Sequence, residues 1–410
     1  MASNRQLERN LVVYPLYTTV IITPVMLPII VLFWQDNGMD LFEVFLLQAL
    51  YAVAVVVLEV PTGMVADRLG KRIGLMAGTW AIAIGSVGYA LGTGFGSFLA
   101  AEIALAVGSA LVSGADTSLL YDTLHALGRQ DEYTRREGRA RALQMAGFAI
   151  CNLAGGLIGS YDYRVAMWAS ATGPIVALLV APMLVEVQAQ AAPASMGEAW
   201  RGYRDLMGQT LRFVRRHALV RWQMGLLAII SGSSMWLLWL FQPYMKLTGW
   251  PVWSFGIAFA AFNLFAAFVS ERAAAVEARF GQRGTLLLLI GLQTLPPLLM
   301  GLFVHPAAVL LIFGQQSVRA LARPIIAERL LRYTWADKRS TILSVAALAG
   351  RLFFAVTAPV MGWVGESVNL VAVLLLQGGT LVVLFAAMWW LYLRIPAKYF
   401  QVKSTVTDRQ

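Results

Sequence analysis

Charge is scarce in this chain: Asp, Glu, Lys and Arg make up 13% of its 410 residues, against about a quarter in an ordinary water-soluble domain. That shortage excludes a protein whose main solvent is water. Cysteine occurs once, at Cys151 inside an apolar stretch, which excludes a disulfide framework and a thiolate metal site. A small packing residue is its expected role. Histidine occurs three times, at His125, His217 and His305, in or beside expected loops and never at a metal-ligand spacing, so neither a metal nor a cofactor is expected. A glycine-rich nucleotide loop is missing, which argues against an ATP-driven pump. Converging nucleophiles are missing too, which argues against an enzyme. The net charge of +10 is spread between apolar runs and is not gathered on one soluble face, so nucleic acid is not an expected partner.

What the chain has in quantity is hydrophobic sequence, 59% of its residues. A bilayer's hydrocarbon layer needs about 20 apolar residues per crossing. Runs of that length are expected at 11–33, 41–63, 74–92, 97–121, 140–160 and 165–185, and again at 221–245, 251–271, 285–304, 306–328, 341–364 and 369–393. The first run is too long for a cleavable signal and reads as a span. The expected fold is therefore an all-α membrane protein with twelve transmembrane helices in two pseudo-symmetric six-helix bundles. The bundles occupy 1–185 and 221–393, a linker 186–220 joins them, and a tail covers 394–410. Of the 32 Lys and Arg residues, 27 fall in the termini and alternate loops, and only Arg164 and Lys246 in the opposite set. Positive charge is retained in the cytoplasm during insertion, so both termini are expected there, in a multi-pass protein of a cell membrane, a bacterial inner membrane.

The linker carries Trp200, Tyr203, Leu206 and Phe213 on one side and Arg201, Arg204 and Arg212 on the other, the pattern of an amphipathic helix lying on the cytoplasmic leaflet. The six-plus-six division calls for comparing equivalent loops. After span 2 the chain reads DRLGKRIGL and after span 8 ARFGQRGTL. Spans 4 and 10 end in SLLYDTL and PIIAERL, placing Asp122 and Glu328 at matching points.

Between spans 2 and 3 lies GMVADRLGKR, Gly63 to Arg72. Gly63 permits close approach of a neighbouring backbone, Asp67 can accept bonds from the positive end of a facing helix, and Gly70 permits a tight turn. Arg68, Lys71 and Arg72 suit the cytoplasmic headgroups. The run resembles the signature G-x-L-A-D-R-x-G-R-K of the major facilitator superfamily. The resemblance implies secondary transport by alternating access, with this loop latching the two halves, Asp67 against the start of helix 11, and Asp122 paired with Arg68 or Arg72. It also implies a central cavity lined by helices 1, 4, 7 and 10. Two family patterns are altered. Glu102 stands where helix 4 of many members has an arginine, and helix 5 has Cys151 to Gly156 with paired glycines but without the proline of many antiporters. The run EVPTG, Glu59 to Gly63, resembles bacterial exporters of drugs and other small organic molecules.

An ionisable residue in hydrocarbon calls for a partner, a water-filled cavity or a role. Glu102, Asp116 and Glu59 are the candidates for proton coupling. Arg319 and Arg351 lie near the midplane, as anion contacts or as helix-pairing groups. Tyr14, Tyr17, Trp236, Trp239, Gln242 and Gln315 add the aromatic walls and amides that suit an amphipathic ligand. Pro15, Pro24 and Pro28 are expected to bend helix 1, and Asn152 and Asn263 to hydrogen-bond between helices. The leading expectation is proton-coupled export of a small organic compound by a monomer. Uptake or exchange of an anionic metabolite is the second reading, and a membrane receptor that binds without transporting is the reading from another class.

Overall fold

The computed structural model describes residues 3–187, 196–334, 339–396 and 399, with the backbone alone for 60, 63–69, 196, 199, 200, 203 and 340. Among these residues every regular element is helical. The first span is two pieces, α1 (Asn4–Val20) and α2 (Ile30–Asp36). Then come α3 (Leu41–Leu69), α4 (Lys71–Leu91), a split fourth span of α5 (Gly94–Val112) and α6 (Ala115–Ala126), α7 (Tyr133–Tyr161) and α8 (Tyr163–Val180). The linker holds α9 (Met196–Arg216), whose Arg201, Arg204 and Arg212 are exposed; the side chains of Trp200 and Tyr203 lie outside the described set. The second half is α10 (Ala218–Leu247), α11 (Val252–Ser270), α12 (Ala273–Leu302), α13 (Ile312–Arg332), α14 (Arg339–Ser367) and α15 (Leu370–Leu393). The protein is an all-α, multi-pass membrane protein of two six-helix bundles.

Ten of these stretches are long and apolar enough to cross a membrane by themselves. The first and tenth spans are outside that group for different reasons. α1 has 17 residues and includes Arg5, Glu8 and Arg9, whereas α13 carries Arg319, Arg323, Glu328, Arg329 and Arg332. Outward faces carry exposed apolar side chains such as Trp80, Ile84, Leu179, Val356 and Val383, for which lipid is the solvent.

Backbone packing groups the chain into two compact units, Met1–Ala199 with Met245–Ala261, and Trp200–Tyr244 with Phe262–Gln410. In the first, Val13, Tyr17, Leu75, Leu119, Ala177 and Leu184 form a buried core joining α1, α4, α6 and α8. Two crossings are made by small residues. α4 meets α5 at Gly78 and Gly108, where a methyl group on Gly108 would lie 2.7 Å from the Gly78 carbonyl oxygen. α7 meets the start of α11 at Gly156 and Gly256, where a methyl on Gly156 would lie 2.5 Å from the Gly256 nitrogen. Lipid tails provide no hydrophobic drive between helices, so close backbone packing of this kind is the main attraction available.

In the second unit, Phe241, Phe262, Phe265 and Phe313 form an aromatic cluster, with ring centroids 5.0 to 5.8 Å apart and Phe313 edge-to-face with both Phe262 and Phe265. Tyr244 donates its hydroxyl to the carbonyls of Met300 and Phe303 at 3.1 and 3.2 Å. The repeat expected from the loops has a backbone counterpart: Gly70 and Gly281 hold equivalent positions, and both adopt left-handed φ, +97° and +64°. Each unit also ties its loop to the end of its fourth helix, with signs exchanged. Lys71 pairs with Asp122 in the first. In the second, Arg329 donates from Nε and Nη2 to Oε1 of Glu277 at 2.8 and 2.6 Å. The expected match at Glu328 is thus displaced by one residue, because Glu328 points outward and pairs with Arg332 one turn along its own helix.

Candidate functional site

Helix 1 stops after Val20. Pro24 and Pro28 lack an amide hydrogen, and Thr18 and Thr19 already donate to the Pro15 carbonyl at 3.2 and 2.7 Å. Residues 21–29 then cross the first unit without regular helix before α2 begins. Such backbone is tolerated at membrane depth only where protein satisfies it. Ser170 of α8 does so: its hydroxyl accepts the Met26 N–H at 2.6 Å and its carbonyl accepts the Thr23 hydroxyl at 3.0 Å. Gly155 of α7 makes room, since a methyl there would sit 1.9 Å from the Val25 carbonyl oxygen. The paired glycines of helix 5 therefore have two jobs, Gly155 receiving the unwound strand and Gly156 receiving α11.

The fourth span breaks at Ser113 and Gly114, whose φ of +82° ends α5 before α6 starts. Facing the two breaks is a cavity of about 570 Å³ in the first unit, with Thr23, Met26, Ser86, Ser109, Asp116 and Arg141 on its wall. A polar chain runs from it across three spans. Arg141 Nη2 lies 3.8 Å from Asp116 Oδ2, its Nε donates to Glu137 Oε1 at 2.8 Å, and Tyr14 donates its hydroxyl to the other Glu137 oxygen at 2.6 Å. Arg141 also donates to Gln144 at 3.1 Å, and Gln144 donates to the Thr18 carbonyl at 2.9 Å. Asp116 is held in turn by the Thr117 N–H at 2.7 Å. Glu137, Arg141 and Gln144 were not among the sequence candidates, because they precede the apolar part of span 5. Their spacing on one helix face was the available signal.

The other candidates fall into several environments. Glu102 is buried away from this cavity and accepts from Gln48 Nε2 at 2.8 Å and from the Tyr89 hydroxyl at 2.5 Å, joining α5 to α3 and α4. Glu59 is exposed on α3. Tyr17 is fully buried in the core, its hydroxyl 2.9 Å from that of Thr79. Asn152 is fully buried, yet its amide has no hydrogen-bond partner among the described residues, which departs from its expected interhelical bond. Its backbone carbonyl faces Gly256 instead.

Of the two partners expected for Asp122, Arg72 is engaged elsewhere and Arg68 lies outside the described side chains. Asp122 pairs with Lys71 and not with Arg72. The reason lies in Glu186, which follows α8 and accepts the first amide hydrogens of α4, from Lys71 at 3.1 Å and Arg72 at 2.7 Å. Arg72 turns to the same segment and donates to the Pro182 carbonyl at 3.0 Å. The side chains of Gly63, Asp67 and Arg68 lie outside the described set.

In the second unit Trp236 is buried and donates from Nε1 to Thr357 at 2.9 Å, and Gln242 is buried as well. Gln315, from α13, donates to the Ser234 carbonyl at 3.3 Å, beside Gln293, which donates to the Ser233 and Ser234 hydroxyls at 2.9 and 3.2 Å. Arg319 is exposed and donates to Gln316 at 2.8 Å; among the described residues no carboxylate stands within ion-pair distance of it. Trp239 and Arg351 are half-buried on α10 and α14.

Comparison with solved structures returns the same architecture. The chain superposes on the nucleoside transporter NupG with a TM-score of 0.77 at 13% identity, covering 94% of this chain and 99% of that one. A peptide transporter of the POT type in complex with sulfate gives 0.68 at 15%, covering 95% of each. A bacterial homolog of the human lysosomal transporter Spinster gives 0.66 at 15%, covering 97% and 96%. At these identities the likeness is one of fold. No curated protein matches the sequence significantly. The family model "Major Facilitator Superfamily" matches residues 16–330, most of the chain, and the protein belongs to that superfamily.

Proposed function

We propose that this transporter is a proton-coupled antiporter that exports a small organic compound by alternating access. The observation that carries the reading is Asp116, a carboxylate on the wall of a cavity, 3.8 Å from an arginine whose other bonds go to Glu137 and Gln144. A proton on Asp116 would release Arg141 wholly to Glu137, so occupancy by a proton would alter contacts between α6 and α7. Glu102 is the less suitable coupling group because two donors from α3 and α4 already hold it. The resemblance of the EVPTG run to bacterial exporters supports the outward direction. The same reading takes residues 1–185 and 221–393 as the two moving halves, the signature loop as their cytoplasmic latch, a monomer as the working unit, and a cell membrane with both termini cytoplasmic as its setting.

Substrate flux in proteoliposomes with opposed pH gradients tests coupling and direction together. Efflux should accelerate under an inward proton gradient, and Asp116→Asn should leave flux that no longer responds to the gradient. Acceleration of uptake by that gradient would overturn export. The second reading, uptake or exchange of an anionic metabolite, draws on Arg319, a cation with no ion-pair partner among the described residues. It predicts that Arg319→Gln abolishes anion flux.

A further inference from the structure

The cavity between the two broken helices has a composition that selects a ligand class. We infer that it binds a monovalent, amphipathic organic cation, with Asp116 taking the charge. The inference deepens the transport reading above by naming its substrate class, and it rests on that reading only in calling the ligand a substrate.

Charge supplies the first argument. Asp116 and Arg141 line the cavity, and Glu137 stands directly behind Arg141 at 2.8 Å. Two carboxylates thus face one guanidinium, so the cluster of Asp116, Arg141 and Glu137 carries one negative charge in excess. The backbone does not offset it, because the carbonyl end of α5 and the amide end of α6 meet at the break with opposite dipole signs. An anion entering here would meet Asp116 and an arginine already engaged by Glu137.

Geometry supplies the second. At 3.8 Å the Arg141 contact to Asp116 Oδ2 is beyond hydrogen-bond distance, while Asp116 Oδ1 is occupied by the Thr117 N–H. Oδ2 therefore has room for a closer donor, as an alkylammonium or amidinium group provides.

The third argument is a polar group with nothing to bond. Ser86 of α4 is 6% exposed, lines the cavity, and its hydroxyl has no hydrogen-bond partner among the described residues. Ser109 on the facing α5, half-buried, lines the cavity as well. Both hydroxyls open to the cavity, where each can donate to and accept from polar atoms of a ligand. Ile21, Ile82, Leu105 and Val112 supply the apolar remainder of the wall. A volume of about 570 Å³ is within the range of sites that hold a drug-sized molecule.

The test is equilibrium binding to the purified full chain without any ion gradient. Ethidium serves as the fluorescent monocation, tetraphenylphosphonium as a competing monocation, and anilinonaphthalene sulfonate as an anion of similar size. Ethidium should bind saturably and be displaced by tetraphenylphosphonium. Asp116→Asn should weaken it by about tenfold or more, the usual outcome of removing one partner of a buried charge pair, while Asp116→Glu, which keeps the charge, should retain most of the affinity. Ser86→Leu, which replaces a polar group on the wall with a bulkier apolar one, should weaken binding, and unchanged thermal melting would show that each variant is folded. Absence of saturable binding for both cations overturns the inference. So does an anion that binds as tightly, or an Asp116→Asn change that affects ethidium and anilinonaphthalene sulfonate alike. The two readings fail separately: cation binding with flux indifferent to pH defeats coupling and keeps the site, whereas proton-coupled flux without cation binding defeats the site and keeps coupling.

Discussion

Glu186 sets the start of α4 from outside that helix. Its two oxygens accept the first two amide hydrogens of α4, which otherwise have no intrahelical partner, and its charge stands at the positive end of the helix dipole. Glu186→Ala should therefore lower stability by about 1–2 kcal/mol, and Glu186→Gln, which keeps an acceptor but loses the charge, by less. Thermal melting of the purified variants measures both, and equal losses would remove the electrostatic part of the argument. His217 makes a comparable contact at the start of α10, where its Nδ1 accepts the Val220 N–H at 3.3 Å. Burial among Phe213, Tyr333 and Tyr399 holds its imidazole below the ordinary value. Only the neutral ring can accept that bond. Because the folded value lies below the unfolded value of about 6.5, the contribution is present above that pH and is lost as pH falls through the folded value. Acidification should lower the melting temperature, and His217→Gln should make that drop smaller.

At the scale of elements, α7 meets two neighbours of the first unit through adjacent glycines. One face receives the unwound part of helix 1 at Gly155, and another meets α11 at Gly156. Gly155→Ala puts a methyl against the Val25 carbonyl, and Gly156→Ala puts one against the backbone of Trp253 and Gly256. No rotamer change relieves contacts with backbone, so each should cost about 1–3 kcal/mol or more, read as reduced yield of folded protein and lower melting temperature. Gly138→Ala on the same helix meets nothing within 4 Å and should be neutral or slightly stabilising. Melting temperatures that fall equally for all three would show that helix 5 glycines matter for some reason other than close packing. The glycine pair was legible in the sequence, but its two different contacts were not, because they depend on where helix 1 unwinds. The three prolines of helix 1 announce a distortion without its extent. Pro15 remains inside α1, while the region of Pro24 and Pro28 leaves the helix altogether. The break at Gly114 was hidden for a similar reason, since a single Ser-Gly step in an apolar run is compatible with a continuous span.

For the molecule as a whole, the features that read directly from sequence are those governed by the bilayer or by local backbone chemistry: the count and order of spans, the equivalent left-handed glycines, and the helical linker. Pairings between distant side chains read less well. Lys71, Arg72, Asp122 and Glu186 offer several chemically reasonable combinations, and the one adopted is set by the segment after α8 reaching back to α4. Orientation is an expectation of the same kind, because insertion responds to charge near the ends of spans and not to tertiary contacts. It gives a prediction that needs no substrate. In a Cys151→Ser background, Tyr161→Cys places a thiol at the last residue of α7, at a site 91% exposed, and Arg129→Cys places one in the basic segment between α6 and α7. In intact cells a membrane-impermeant maleimide should label the first variant at once and the second only after permeabilisation. The reverse pattern would place both termini outside, and the basic segments that drew the topology would then need protein partners in place of the cytoplasmic leaflet.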